Sequence, residues 1–331
     1  MKLPRRQFLQ LAAGAAALPI VSRIASAQSY PSRPITIIVP TGAGGPQDVI
    51  ARVVAEGMRE RLGQAVIIEN VAGANGTLGI GRVARAKPDG YSLAFSVSSA
   101  THVFNAAMYA LPYDVISDFE PVALVTRDTG AVIVAKKAMP ANSLKELIAW
   151  LGGNPDKASL GHTGPGSPAH ISGALFQRLT GTRFQFVTYR SAGQAMQDVI
   201  AGHIDMMFTS PSIGLAPAQA GSVKAYAVMA RNRLAASPDI PTVDEAGLPG
   251  FYTSGWHALW APKGTPREVI ARLNAAVVDA LADTAVRTRL ADLGLLIVPR
   301  EQQTPEALRA FQKAEIEKWW PIIKEAGIKA E

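Results

Sequence analysis

Two hydrophobic periods alternate along this chain. Short apolar runs such as Ile35-Thr36-Ile37-Ile38, Val66-Ile67-Ile68 and Tyr91 to Val97 predict strands, and the segments between them carry helical spacing. After the first run, Val49, Ile50, Val53, Val54, Met58 and Leu62 share a helix face, with Gly63 placed for a left-handed C-cap. Further on, Pro121 to Val134 supplies two apolar runs, and Ser143-Leu144-Lys145-Glu146 reads as a capping box for a helix ending near Gly152. A helix with Ile171, Ala174, Leu175 and Leu179 on one face follows, then a strand from Phe184 to Tyr189, a helix from Ala192 to Ala201, and a strand from Ile204 to Phe208. Thr265-Pro266-Arg267-Glu268 reads as a second capping box opening a helix through Leu281. A C-terminal helix from about Pro305 places Leu308, Phe311, Ile316, Trp319 and Ile323 on its packing side. Alternation of strand and helix predicts an α/β fold with mostly parallel sheets flanked by helices.

Two connections in this pattern are rich in glycine. Thr41-Gly42-Ala43-Gly44-Gly45-Pro46-Gln47-Asp48 joins the first strand to the first helix, and Gly161-His162-Thr163-Gly164-Pro165-Gly166-Ser167-Pro168-Ala169-His170 repeats the design in the second half. Glycine allows close backbone approach, and a helix start presents amides and positive potential, so each loop is a candidate anion receptor. Asp48 either caps its helix or both caps it and receives a donor on a ligand. His170 either braces its loop or donates to a ligand.

Composition changes the picture in three ways. Residues 1–27 carry Arg5-Arg6, the apolar run Leu11 to Val21 and Ala25-Ser26-Ala27, the n-, h- and c-regions of an export signal. The paired arginines point to the twin-arginine route, with ordinary secretion as the alternative, and cleavage is expected after Ala27 into the periplasm. Without this segment, 29 basic and 26 acidic residues remain, and the formal charge falls from +7 to +3. No basic run is left to serve as a nucleic-acid surface. The absence of cysteine excludes disulfides, thiolate metal sites and cysteine catalysis.

Enzymatic motifs are equally sparse. Ser167 is followed by Pro168 and lies outside a Gly-x-Ser-x-Gly elbow, and no His-Glu-x-x-His spacing supports a metal. The glycines at 73, 76, 79 and 81 lack the dinucleotide-binding order, so no cofactor is expected. A hydrolase of a carboxylate ester using Ser167 and His170 is the alternative from another functional class.

Several ordered motifs together resemble the tripartite tricarboxylate transporter substrate-binding receptors, also called Bug receptors. They are Tyr30-Pro31-Ser32-Arg33-Pro34-Ile35, the Gly-Gly-x-x-Asp loop, Asp89-Gly90-Tyr91, Tyr113-Asp114 with Asp118-Phe119, Gly164-x-Gly166-x-x-x-His170, Pro241-Thr242-x-x-Glu245-x-Gly247, and Trp319 with Lys324-x-x-Gly327. The resemblance implies a two-domain periplasmic binding protein, with 28–127 and 254–331 as one domain, 128–253 as the other, and hinge crossings near 128 and 253. It implies a non-enzymatic, monomeric receptor that closes on a small carboxylate and delivers it to a membrane permease, or presents it to a periplasmic sensor domain. Carried over residue by residue, the site comprises Thr41, Gly44, Gly45, Gln47 and Asp48 from the first loop and Thr163, Gly166, Ser167 and His170 from the second, with Ser98, Tyr189 and Asp205 as further pocket candidates. The chain departs from the family pattern at Thr41, where an aromatic is common, Gln47, where a hydroxyl residue is usual, His162, where serine is usual, and Pro165, where asparagine is frequent and an amide donor is lost.

Overall fold

The computed structural model describes residues 30–96, 100–253, 255–325 and 327. The expected export signal and Ser98 lie outside the described residues. From Arg33 onward the chain forms one contact unit containing two sheets.

The strands are β1 (Ile35–Val39), β2 (Val66–Asn70), β3 (Ser92–Phe95), β4 (Phe119–Asp128), β5 (Val132–Lys136), β6 (Ser159–His162), β7 (Gln185–Thr188), β8 (Met206–Thr209), β9 (Val223–Val228), β10 (Trp256–Pro262) and β11 (Leu295–Ile297). The helices used below are α1 (Pro46–Leu62), α2 (Thr77–Ala84), α3 (Leu144–Gly153), α4 (Pro168–Thr180), α5 (Ala192–Ala201), α6 (Pro211–Gln219), α7 (Arg267–Ala282), α8 (Thr284–Asp292) and α9 (Pro305–Glu325).

One sheet has the order β11-β4-β10-β3-β1-β2 and the other β7-β6-β8-β5-β9. Each is mixed. In the first, β1 pairs in parallel with β2 and β3, while β10 and β11 pair antiparallel with their neighbours. In the second, β6 pairs in parallel with β7 and β8, while β5 is antiparallel to β8 and β9. The parallel half of each sheet carries a glycine loop, since a parallel strand must be followed by a crossover helix.

The chain passes between the sheets twice. β4 ends at Asp128 and β5 begins at Val132; the return follows β9 and reaches β10 at Trp256. The passages are tied together: the Asp128 N–H donates to the Gly255 carbonyl at 2.8 Å, and the Met229 N–H donates to the Ala131 carbonyl at 2.7 Å. Gly130 sits at φ 98°, where a β-carbon would lie 2.8 Å from that of Ala230, so only glycine fits this close passage.

Most helix signals operate as the pattern predicts. Gly63 is left-handed and its N–H bonds the Arg59 carbonyl; Ser143 accepts the Glu146 N–H. The box at Thr265 does not form. The α7 N-cap is Pro266, with no side-chain cap, because the Thr265 hydroxyl donates to the Pro262 carbonyl at 2.7 Å. α9 buries Leu308, Ile316, Trp319 and Ile323, with Phe311 half-buried beside them. One apolar cluster runs from Ile38 and Trp260 under the first sheet to Phe176 and Phe208 under the second. Burial on this scale stabilises the chain by about 25 cal/mol for each Å² of apolar surface removed from water.

Candidate functional site

Loops that follow parallel strands gather at the carboxyl edge of a sheet, where ligands of open α/β folds bind. At the first sheet this edge carries residues 40–45 after β1, the segment 71–76 after β2 and the helical stretch 100–108 beyond β3. At the second it carries 163–167 after β6, Tyr189 after β7 and Ser210 after β8.

The first loop is held by Asp48. This carboxylate is 3% exposed, accepts the Gly44 N–H at 2.9 Å, and is paired with the Arg52 guanidinium at 2.9 Å. Arg52 also reaches Asn70, whose side-chain amide donates to the Thr41 carbonyl at 3.1 Å. The Arg52 hydrogen bond foremost, with the Gly44 amide and Asn70 in support, holds the Asp48 carboxyl below its ordinary range against the opposing effect of burial. The Gly44 N–H therefore belongs to the loop's own bracing. Asp48 turns back onto the loop, and the N-cap Gly45 supplies no side chain to the first turn of α1. Pro46 has no N–H, so the amides of Gln47 and Asp48 are the open donors at this helix start. The Thr41 hydroxyl is buried with no hydrogen-bond partner, and Gln47 is half-buried in the first turn of α1.

The second loop is held by imidazoles. The His170 Nδ1 accepts the Gly166 N–H at 3.3 Å; the His162 Nδ1 lies 2.9 Å from the Gly164 carbonyl oxygen and 3.1 Å from the Gly164 nitrogen, and its Nε2 lies 3.2 Å from the Thr188 hydroxyl. The two rings stack with centroids 4.6 Å apart, and Phe186 presents an edge to both. Burial, reinforced by His162, pushes the His170 pKa down to about 4, and burial also lowers that of His162. Both rings are neutral at pH 7. Ser167 is the α4 N-cap and accepts the His170 N–H at 3.4 Å. Its hydroxyl is thus an acceptor for backbone, and no bond joins it to the His170 ring among the described residues.

Tyr189 lies at the same edge. Its N–H donates to the His162 carbonyl at 2.8 Å and its hydroxyl to Asp198 at 2.7 Å; burial, then Asp198, pushes the phenol up to about 12. Asp205 is not brought to this place. It precedes β8 and therefore stands at the amino edge, where it accepts from the Ser159 N–H and hydroxyl at 2.8 Å each and pairs with Lys136 at 2.6 Å. Three polar residues absent from the sequence-based set belong to the site's support. Arg52 is legible as the i+4 partner of Asp48, and Asn70 is aligned with Val39 in the parallel register. Asn105, fully buried, exchanges two hydrogen bonds with Asn75 and has no comparable sequence signal. No group of three or more histidine, aspartate and glutamate residues placed to hold a metal occurs among the described residues.

Two helix-flanked mixed sheets joined by paired crossings, each presenting a glycine loop at its carboxyl edge, define a periplasmic-binding-protein-type solute receptor. Residues 50–328 match the model of the tripartite tricarboxylate transporter family receptor, and the chain belongs to that family. A protein encoded in the TAR-I ttuE-ttuC′ intergenic region of Agrobacterium vitis is 41% identical over 323 residues, covering 97% of this chain and 92% of the relative. The solved structure of MatC from Rhodopseudomonas palustris with bound malate is 38% identical, covers 89% of this chain and all of its own, and superposes with a TM-score of 0.74. That of the periplasmic binding protein BugD is 37% identical, covers 91% of this chain and all of its own, with a TM-score of 0.73.

Proposed function

We propose that this receptor works in the periplasm, takes a small carboxylate between its two glycine loops, closes about the paired crossings at 128–131 and 253–255, and is recognised in the closed form by the permease of a tripartite tricarboxylate transporter. The observation that carries the reading is the uncapped start of α1. Its first-turn amides are unmatched by any side chain while the nearest carboxylate, Asp48, is neutralised by Arg52. An anion is drawn to that position by the helix dipole and open donors without facing an unpaired negative charge. The malate bound by MatC, a relative of the same fold, supports the choice of a carboxylate. Thr41, Gly45, Gln47, Thr163, Ser167 and Tyr189 are the contact residues in this reading, and Gly44, Asp48, Gly166 and His170 hold the loops in shape. The domains are 28–127 with 254–331, and 128–253.

A thermal-shift screen of purified protein against small carboxylates and their matched neutral amides tests this. An acid at about 100 times its dissociation constant adds roughly 2.7 kcal/mol of stability. The expected result is stabilisation by one or more acids, no stabilisation by the corresponding amides, and recovery of the acid unchanged. Equal effects from neutral compounds would exclude anion recognition at the loops.

A further inference from the structure

Met108 lies in the last turn of the helical stretch beyond β3, on the first-sheet side of the crossings, and is buried. Its side chain reaches the second-sheet side. A β-carbon built on Gly166 would lie 2.5 Å from both the Sδ and the Cε of Met108, so the thioether rests on the bare α-carbon of the second glycine loop. Gly166 is at φ 73°, and its N–H is fixed by His170, which gives the thioether a rigid seat.

The other end of this contact is referenced to the first loop. Asn105, one turn before Met108, is locked to Asn75 by bonds of 2.9 Å in both directions. The segment carrying Asn75 lies against Pro40: a β-carbon on Gly76 would meet the Pro40 Cβ at 3.2 Å, and one on Gly79 the Pro40 Cα at 3.1 Å. A continuous run of tight packing and paired amides thus leads from the first loop through Asn75 and Asn105 to Met108, and from Met108 onto the second loop. Methionine is the flexible member of this run, since its unbranched side chain fills irregular space.

We infer that Met108 is the residue that limits the length of acid accepted between the two loops, because its thioether fills the space against the second loop. This rests on the proposed carboxylate function. Shortening residue 108 opens room between the loops, and each additional methylene accommodated there adds about fourfold in affinity.

The test compares succinate and adipate on the full chain by titration calorimetry. Met108→Ala is expected to raise the adipate-to-succinate affinity ratio by about fourfold or more. Met108→Leu, which conserves volume, should leave the ratio within about twofold of the wild type. Gly166→Ala should weaken both acids, and adding Met108→Ala should recover part of that loss because the crowding is relieved. Should Met108→Ala fail to fold, Met108→Val reads the same ratio with a smaller change in volume. An unchanged ratio in a variant that still binds acids overturns the inference and leaves the receptor function standing. Wild-type protein that binds neither these diacids nor any other carboxylate overturns both.

Discussion

At the first glycine loop the Gly44 N–H is taken by a side chain four residues on, the Asp48 carboxylate; at the second the Gly166 N–H is taken, again four residues on, by the His170 imidazole. The local architecture is the same, and the charge is not. Asp48 is an anion paired with Arg52, and its helix starts uncapped; His170 is neutral and stacked on His162, and its helix is capped by Ser167. Holding a glycine loop in shape therefore does not require a particular chemical group, only an acceptor one turn into the helix. What differs is what each loop presents: open amides at the first, and at the second a hydroxyl-bearing, uncharged surface backed by aromatic rings.

The largest expected effect follows from removing the charged brace. Asp48→Ala leaves the Gly44 N–H without its acceptor and Arg52 without its partner. Loss of charged hydrogen bonds at a buried carboxylate costs about 2–3 kcal/mol. Arg52 is half exposed and regains water, which keeps the cost from rising further. Chemical denaturation should show that loss, and acid binding should fall by about tenfold or more because the loop relaxes, a loss that attraction to the freed Arg52 guanidinium offsets only in part. Asp48→Asn keeps an acceptor and should lose about half as much stability. Equal stability of wild type and Asp48→Ala would show that the brace contributes nothing.

The imidazole brace should be weaker and pH-sensitive. His170→Leu removes one neutral hydrogen bond and a ring stack, about 1–2 kcal/mol together. The His170 pKa is lowered on folding, to about 4 from an ordinary 6.5, so the unfolded chain takes the proton first. Its contribution is fully present above pH 6.5, declines as the pH falls, and is exhausted below about 4. His102, fully buried with its pKa pushed down to about 3 by burial, acts in the same direction. Stability measured from pH 7 to pH 4.5 should therefore fall, and fall less steeply in His170→Leu. Affinity for a carboxylate already ionised at pH 6 should stay level between pH 6 and 8, because His170 is neutral throughout. A steep rise on acidification would mean that an imidazolium receives the ligand.

Both loops are legible because each combines a strand, closely spaced glycines and a helix start within a dozen residues. The roles inside them are less so. Gly44 and Asp48 stand at a spacing that permits a ligand site or a self-contained brace, and it is in the fold that the carboxylate turns back onto the amide. Asp205 illustrates another limit: sequence proximity to a strand does not say which edge a residue occupies. The strand begins at Met206 and not at Ile204 as the apolar pattern predicts, so Asp205 precedes it and stands with Ser159 opposite the loop edge, while Ser210 follows it. The antiparallel halves of the sheets were hidden for a related reason. β10 enters between β3 and β4 from more than a hundred residues away, and no local period encodes that pairing. Met108 carries no sequence signal, because what sets it apart is which glycine it touches.

The smallest effect separates capping from ligand contact at Ser167. Its hydroxyl accepts the His170 N–H at 3.4 Å, a long bond, and the adjoining Pro168 presets the first helical turn without it. Ser167→Ala should therefore cost about 0.5–1 kcal/mol, the lower part of the range for an N-cap. If the hydroxyl also reaches the ligand, affinity should fall by a further factor that the loss of stability does not explain. Ser167→Asp distinguishes the two. Aspartate caps a helix at least as well as serine, so stability should be kept, while its negative charge in the second loop should repel a carboxylate. Retained stability with lost acid binding places Ser167 in contact with the ligand; retained stability with retained binding confines it to the cap.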